Sequence, residues 1–204
     1  MGNSIIIRKA TLDDVDAIVS IHQDAFKNFF LTSLGKRFLK LYYHSFINCD
    51  KGCVFCAYKD NQVVGFSACS YVSRSFNSLL IKKNLVKYGI EALILLFTKP
   101  GALIRLAKNM NKEGSDSKVK DNGLYAELYS IAVSPLCQGE GVGKQLLLTT
   151  ENDVLNYNYQ VSLTTDYYNN DKTIAFYKAL DYENYYEFTT YPNRKMWRMI
   201  KNLK

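Results

Sequence analysis

The sequence has few of the residues from which metal sites and covalent catalytic sites are built. Its 204 residues include only two histidines, His22 and His44, and no Gly-x-Ser-x-Gly segment. Two histidines leave little for a histidine-rich metal site, and the missing segment argues against the serine nucleophile of an α/β-hydrolase. Cys137 has no histidine near it in the sequence, so we do not expect a cysteine nucleophile. We therefore predict a site without metal and without an acyl-enzyme.

The cysteines do not have the pattern of a disulfide framework. There are five, an odd number, with no signal peptide ahead of them, which is typical of reduced thiols and predicts a cytoplasmic protein. Cys53 and Cys56 form a Cys-x-x-Cys pair inside an apparent strand, where alternation places their side chains on opposite faces. We interpret them as small buried apolar residues. The alternative is a zinc site completed by His44 and Cys49.

Long apolar runs and acidic residues are also scarce. The most apolar stretch, residues 78–97, is interrupted by Lys82, Lys83, Lys87 and Glu91, so it is too short and too charged to span a bilayer. Lysine and arginine outnumber aspartate and glutamate by 26 to 19, which gives a formal charge of +7. That excess suits an anionic small molecule, nucleic acid or an anionic membrane surface, and it does not choose among them.

One stretch that is present, residues 124–150, predicts a phosphate-binding turn. An apolar strand over residues 124–133 ends at Ser134-Pro135, since proline cannot donate to a sheet, and an amphipathic helix follows. Glycines between them let an anion approach the backbone amides, and the helix start adds unpaired N–H groups. The loop residues that we expect to contact a pyrophosphate are Gln138, Gly139, Glu140, Gly141, Val142, Gly143 and Lys144.

The spacing of this loop distinguishes between phosphate ligands. The dinucleotide pattern Gly-x-Gly-x-x-Gly fails at Lys144, and the nucleoside-triphosphate pattern fails at Gln138 and Gln145. The order Gln138-x-x-Gly141-x-Gly143 resembles the pyrophosphate loop of the GNAT superfamily of coenzyme A-dependent N-acyltransferases. In that loop the first position is more often arginine.

A second motif near the C-terminus supports the same resemblance. Residues 170–182 are similar to the superfamily pattern Asn-x-x-Ala-x-x-x-Tyr-x-x-x-Gly-Phe. Asn170, Tyr177 and the aromatic Tyr182 match it, whereas Thr173 replaces alanine and Asp181 replaces glycine. Aspartate tolerates left-handed backbone better than most residues, so a helix can still end at position 181.

The resemblance implies an α/β (α+β) fold of the GNAT type. We expect a central mixed sheet of about seven strands, flanked by helices, in one domain that covers residues 1–204. The strand over residues 160–165 follows the cofactor helix by one crossover and should run parallel to the strand over residues 124–133. Residues 54–59 and 62–71 predict a hairpin around Asp60-Asn61.

A helical insertion at about residues 73–123, before the cofactor strand, departs from the usual family pattern. Residues 78–97 predict one helix, and Pro100 opens a second. Three roles are open for the insertion: a lid or buttress, an acceptor-binding or homodimer-forming element, and a basic surface that rests on an anionic membrane. We expect no stable membrane insertion.

The resemblance implies that acetyl-CoA is the cosubstrate and that catalysis is direct attack of an amine in a ternary complex. Tyr177 would be the acid that protonates the departing coenzyme A thiolate. Glu127, on the cofactor strand, is the candidate base, and by alternation it should share a face with Tyr129 and Ile131. The pantetheine arm would be held by Asn170 and by backbone amides at Ile131, Ala132 and Val133.

The acceptor is implied only as a class. We expect a primary amine of a small molecule, with Phe29 and Phe30 as lining of its pocket. Residues 25–43 resemble GNAT proteins from surface-polysaccharide loci, and this resemblance implies an amino sugar. No nucleic acid partner is expected. The alternative function is a catalytically inactive GNAT-like module that binds an anionic membrane or nucleic acid through its basic insertion.

Overall fold

A seven-stranded mixed sheet forms the centre of the computed structural model, which describes residues 4–110, 119 and 121–203. The strands are β1 (Ile6–Lys9), β2 (Gly52–Lys59), β3 (Gln62–Ser70), β4 (Ala126–Val133), β5 (Gln160–Asp166), β6 (Glu183–Thr190) and β7 (Arg194–Asn202). Their spatial order is β1-β2-β3-β4-β5-β7-β6, and β4 and β5 are the parallel pair. The predicted mixed sheet and the parallel crossover are therefore confirmed.

Eight α-helices were found among the described residues. They are α1 (Val15–Ala25), α2 (Phe30–Ser33), α3 (Lys36–Ile47), α4 (Phe76–Lys83), α5 (Leu85–Thr98), α6 (Pro100–Met110), α7 (Val142–Val154) and α8 (Asp171–Lys178). Asp181 has φ +66°, so α8 is followed by the left-handed residue that the sequence predicted. No described helix is both long and apolar enough to cross a membrane.

The sheet separates two apolar clusters. One cluster, with α1 and α3, includes Ile18, Phe46 and Phe66. The other, with α7 and α8, includes Leu146 and Tyr177. Each face of the sheet is thus covered by helices, which explains why the central strands are apolar on both sides.

The predicted hairpin of β2 and β3 is confirmed. Asp60 and Asn61 both have positive φ, which is the backbone of a two-residue hairpin turn. Further along β3, a Cβ on Gly65 would lie 3.0 Å from the carbonyl oxygen of Ala132 and 3.1 Å from Leu146 Cδ1. The absence of that side chain lets α7 pack close to the sheet.

A β-bulge in β4 changes which residues share a face. Ala68 pairs with Ser130 and Cys69 pairs with Leu128, so Tyr129 is an extra residue. Tyr129 packs in the cluster with Phe46, whereas Ile131 packs in the cluster with Leu146. The predicted common face for Glu127, Tyr129 and Ile131 is therefore wrong beyond Tyr129, because the bulge shifts the alternation by one residue.

The insertion before β4 is helical, as predicted, with one difference. The single helix expected over residues 78–97 is two helices, α4 and α5, because Asn84 leaves the helical region at φ −129° and ψ 33°. The helix that starts at Pro100 is confirmed as α6. Residues 111–118 and 120 of the predicted insertion lie outside the described residues.

Candidate active site

The parallel strands β4 and β5 separate at the centre of the sheet. They pair with each other from Ala126–Val161 to Leu128–Leu163. Beyond these residues β4 continues to Val133 and β5 to Asp166, but the two strands no longer pair with each other. The bulge at Tyr129 lies where the separation begins. A gap between two parallel strands exposes backbone N–H and C=O groups that a linear polar ligand can bind.

A cavity of about 570 Å³ lies at this opening. Its lining comes from β4, β5, β6, β7, α6, α8 and the α1–α2 region. Of the residues predicted for the site, those that line the cavity are Phe29, Phe30, Ile131, Asn170 and Tyr177. Ala132 is buried, and Val133 is half-buried at the end of β4.

The glycine loop lies between β4 and α7, where the sequence placed it. Gly139 and Gly141 have φ of +84° and +78°, and no atom lies within 4 Å of a Cβ built on either. Gly141 precedes Val142, the first residue of α7, so the unpaired N–H groups of the helix start are next to open space. This combination of left-handed backbone, missing side chains and a helix start can hold a diphosphate.

The remaining loop residues surround this start of α7. Gln138 Nε2 donates to the Val133 carbonyl oxygen at 3.2 Å, which ties the loop back to β4. Glu140 forms an ion pair with Lys59 at 2.7 Å. Lys144 is exposed in the first turn of the helix and Val142 is buried, and a Cβ added to Gly143 would lie 3.7 Å from Val133 Cγ2.

Tyr177 lies on α8 with its ring packed between Phe176 and Tyr182. It is buried, and burial raises the pKa of its phenol well above the ordinary value. A phenol in this state stays protonated at neutral pH and can donate a proton to a stronger base. Asn170 precedes α8, and its Nδ2 donates to Thr165 Oγ1, which fixes the side chain at the mouth of the cavity.

Glu127 is placed differently from the other predicted site residues. It is buried on β4, and it does not belong to the lining of the 570 Å³ cavity. Arg198 Nη1 donates to its Oε1 at 2.5 Å, and Ser73 Oγ donates to its Oε2. Both carboxylate oxygens therefore accept protein hydrogen bonds, which is the arrangement of a buried ion pair. Its role as a base stays a prediction.

Three charged residues of the cavity were not identified from the sequence. Arg194 forms an ion pair with Asp166 and lies over the Phe29 ring, 4.1 Å from its centroid. Arg105, from α6 of the insertion, lies 5.1 Å from the centroid of the Phe30 ring and donates through Nε to the Tyr191 carbonyl at 3.1 Å. No local motif marks these residues, since β5, β7 and α6 are distant in sequence.

The cysteines and histidines form no site. Within the part of the chain that the structure describes, no group of three or more histidine, cysteine, aspartate or glutamate side chains could hold a metal ion. Cys53 and Cys56 belong to the two opposite apolar clusters, as the alternation predicted. Cys137 is buried beside the glycine loop.

Comparison with known proteins identifies relatives of this arrangement. The model of the Acetyltransferase (GNAT) family matches residues 15–182. No curated protein sequence matches the chain.

Solved structures share the fold. An N-acetyltransferase from Staphylococcus aureus Mu50 superposes with a TM-score of 0.63 at 14% identity, covering 98% of this chain and 99% of its own. Ribosomal-protein-alanine N-acetyltransferase from Brucella melitensis gives 0.62 at 17% identity, with coverage of 97% and 99%. The protein yncA from Salmonella typhimurium, described as an acetyltransferase and solved with its cofactor acetyl-CoA, gives 0.61 at 14% identity, with coverage of 99% and 95%.

Proposed function

The chain belongs to the GNAT acetyltransferase family, and from this premise we propose that it transfers an acetyl group from acetyl-CoA to the primary amine of a small molecule. The observation that carries the proposal is the course of β4. This strand separates from β5 after Leu128, lines the cavity through Ile131, and leads directly into the glycine loop at the start of α7. A thioester on a long arm with a diphosphate requires that order of binding groups.

The residues of this structure fit coenzyme A. The open space in front of Gly139 and Gly141 admits a bulky anion to the backbone amides. Exposed Lys144 supplies a positive charge in the first turn of α7. Asn170 and the backbone of Ile131 line the cavity where an amide-rich arm would lie. When bound, acetyl-CoA supplies the activated acetyl group as a thioester.

We assign Tyr177 the protonation of the leaving thiolate. Its phenol is kept protonated by burial, and its ring is fixed by two aromatic neighbours. A thiolate with a pKa near ~8.5 is a weaker base than a phenolate near ~10, so this proton transfer is uphill, and burial of Tyr177 adds to the cost. It therefore requires a direct hydrogen bond from the phenol to the sulfur while the C–S bond breaks. The position of Tyr177 on the cavity wall supports that contact.

The cavity also bears on how the amine loses its proton. An amine with a pKa near ~10 is mostly protonated in neutral water and cannot attack. We define the acceptor side of the cavity as the part lined by Phe29 and Phe30, whose rings contact Arg194 and Arg105. One carboxylate, Asp166, pairs with Arg194 there. Surplus positive charge lowers the pKa of a bound ammonium group and favours the neutral nucleophile. The acceptor-side arginines therefore support attack even though Glu127 does not line the cavity.

The acceptor side supports a small polar amine. Phe29 and Phe30 offer apolar ring faces, and Arg105 offers guanidinium donors for which the described residues provide no carboxylate partner. Together they suit an amine that carries hydroxyl or anionic groups, and an amino sugar is the first acceptor to test. Arg105→Gln should raise KM for the acceptor about tenfold and leave coenzyme A affinity unchanged. Lys108→Gln, on the same helix and over the Tyr191 ring, is the matched control.

The proposal is tested first by ligand binding and then by turnover. Thermal unfolding with coenzyme A at a hundredfold over its Kd should show about 2.7 kcal/mol of added stability. Absence of any shift at millimolar coenzyme A would refute the proposal. Thiol release from acetyl-CoA should then be measured over a panel of amino sugars and other amines. If the protein binds coenzyme A but no amine stimulates thiol release, it is a catalytically inactive protein that only binds the cofactor.

A further inference from the structure

Helix α5 of the insertion is apolar on both sides. Tyr88 and Leu95 face the protein, and Tyr88 contacts Phe38 of α3 edge to face. The opposite side is exposed to solvent. The large apolar residues of this side, which we name the α5 outer face, are Leu85, Val86, Ile90, Leu93, Leu96 and Phe97.

The α5 outer face is one continuous surface. Val86, Ile90, Leu93 and Phe97 are spaced by four, three and four residues, which aligns them along one side of an α-helix. Phe97 is 84% exposed and Val86 is 75% exposed. An ordinary surface helix carries polar residues on this side, and a contiguous exposed apolar strip marks an interaction site.

The charges around this face have one sign. The six basic residues between positions 76 and 110 are Lys82, Lys83, Lys87, Lys99, Arg105 and Lys108. The one acidic residue in that range is Glu91, which is buried and accepts a hydrogen bond from Arg37. Segment 76–110 therefore has no exposed carboxylate, and Lys82 and Lys87 are exposed within four residues of Val86.

The charge pattern decides between the partners that an apolar strip could have. A second copy docked through the same face would bring its own Lys82 and Lys87 and no acidic residue of segment 76–110 to match them, since the nearby Asp50 is already paired with Lys83, so repulsion would oppose pairing. Nucleic acid would satisfy the lysines and leave Phe97 and Leu93 against a polar backbone. The surface of an anionic bilayer satisfies both, because headgroup phosphates attract lysine and the acyl boundary accepts apolar side chains.

We propose that the α5 outer face docks the protein on the surface of an anionic lipid bilayer. Phe97, Leu93, Ile90 and Val86 enter the boundary between headgroups and acyl chains, while Lys82 and Lys87 contact lipid phosphates. The contact is peripheral and is independent of the acetyl-transfer proposal.

Vesicle flotation of the full chain tests this inference. Vesicles of phosphatidylcholine with phosphatidylglycerol should carry the protein, and vesicles of phosphatidylcholine alone should not. Molar salt should weaken binding, because it screens the lysine contacts. The double variant Leu93→Asp/Phe97→Asp should reduce partitioning more than about tenfold. Leu148→Asp, an exposed apolar position on α7, is the matched control and should bind like the wild type.

A fluorescent reporter gives an independent reading of the same contact. The chain has a single tryptophan, Trp197, so Phe97→Trp adds one probe on the α5 outer face and Tyr159→Trp adds one at an exposed site elsewhere. With anionic vesicles, emission should move to shorter wavelength for Phe97→Trp and stay unchanged for Tyr159→Trp. Equal shifts, binding lost equally in Leu148→Asp, or no flotation of the wild type would overturn the proposal. Dimers that disappear in the double variant, or oligonucleotide binding without vesicle binding, would also overturn it.

Discussion

Arg198 on β7 reaches Glu127 on β4 across the intervening strand β5. Its Nη1 lies 2.5 Å from Glu127 Oε1 and 3.4 Å from Ser162 Oγ on β5. Both residues are buried, at 4% and 7% exposure. Although burial disfavours the charge of the guanidinium, Glu127 raises the pKa of Arg198 above its ordinary value. This pair joins the two strands that flank β5, close to the point where β4 and β5 separate.

Glu127→Gln is expected to affect stability more than catalysis. The substitution leaves Arg198 buried without its nearest counter-charge, and breaking such a pair costs about 3 kcal/mol. Chemical denaturation measures this loss, and kcat should fall less than tenfold. A fall in kcat of more than about a hundredfold, together with loss of the acidic limb of the pH–rate profile, would instead assign Glu127 as the base.

The control for that experiment is Glu151→Gln. Glu151 is also buried, and it accepts hydrogen bonds from Tyr182 Oη at 2.9 Å and Lys201 Nζ at 2.7 Å on the other face of the sheet. The Glu151→Gln variant should lose about as much stability as Glu127→Gln, and its kcat should be unchanged. The difference between the two variants isolates any catalytic contribution of Glu127.

Tyr177→Phe should lower kcat by about a hundredfold, because the leaving thiolate loses its proton donor. The ring and its packing are retained, so stability should change by less than about 1 kcal/mol. Tyr182→Phe is the matched control, since Tyr182 is buried 5.5 Å from the Tyr177 ring centroid and its hydroxyl binds Glu151. Steady-state thiol release measures both. A Tyr177→Phe enzyme as fast as the wild type would remove this residue from the mechanism.

Gly141→Ala should weaken coenzyme A binding by more than about tenfold. The new methyl group would stand in the open space before α7, and a side chain at φ +78° costs about 1–2 kcal/mol of stability. Gly35→Ala separates binding from strain, because Gly35 lies outside the loop and also has a positive φ, +99°, with only the flexible end of Lys99 near an added Cβ. It should lose stability on a similar scale and bind coenzyme A like the wild type. Titration calorimetry measures both, and equal losses would contradict the phosphate role of Gly141.

His22 should make the protein less stable as the pH falls from 6.5 to 4. Burial lowers the pKa of this histidine from 6.5 to about 4, and its Nδ1 lies 2.7 Å from Tyr43 Oη. The unfolded chain binds a proton near pH 6.5 and the folded chain does not until about pH 4, so the unfolded state gains stability across this window. The loss approaches about 3 kcal/mol. Denaturation at stepped pH should show a smaller slope in His22→Gln, and an unchanged slope would contradict the assignment.

The sequence predicted the elements and loops whose signals are local. The turn at Asp60-Asn61, the glycine loop and the helix end at Asp181 were readable because each turn type needs particular residues, and Asp60, Asn61, Gly141 and Asp181 all have positive φ. The break between α4 and α5 was missed, since Asn84 is compatible with a helix and packing of two short helices decided against it. The bulge at Tyr129 was missed for a similar reason. In the sequence alone, a bulged strand cannot be told from a regular strand whose side chains alternate between the two faces. The extra residue is recognised only when the paired strand is known.

The sequence by itself determined the family, the glycine turn and the tyrosine helix, because phosphate binding and helix ends depend on contiguous residues. The tertiary structure decided what Glu127 contacts, that Arg105, Asp166 and Arg194 share a cavity, and that α5 exposes an apolar face. These facts depend on strand order and helix docking, which bring together residues 28 to 89 positions apart along the chain. The chemistry of each side chain follows from the sequence, whereas contacts between residues that are distant in the sequence form only when the chain folds.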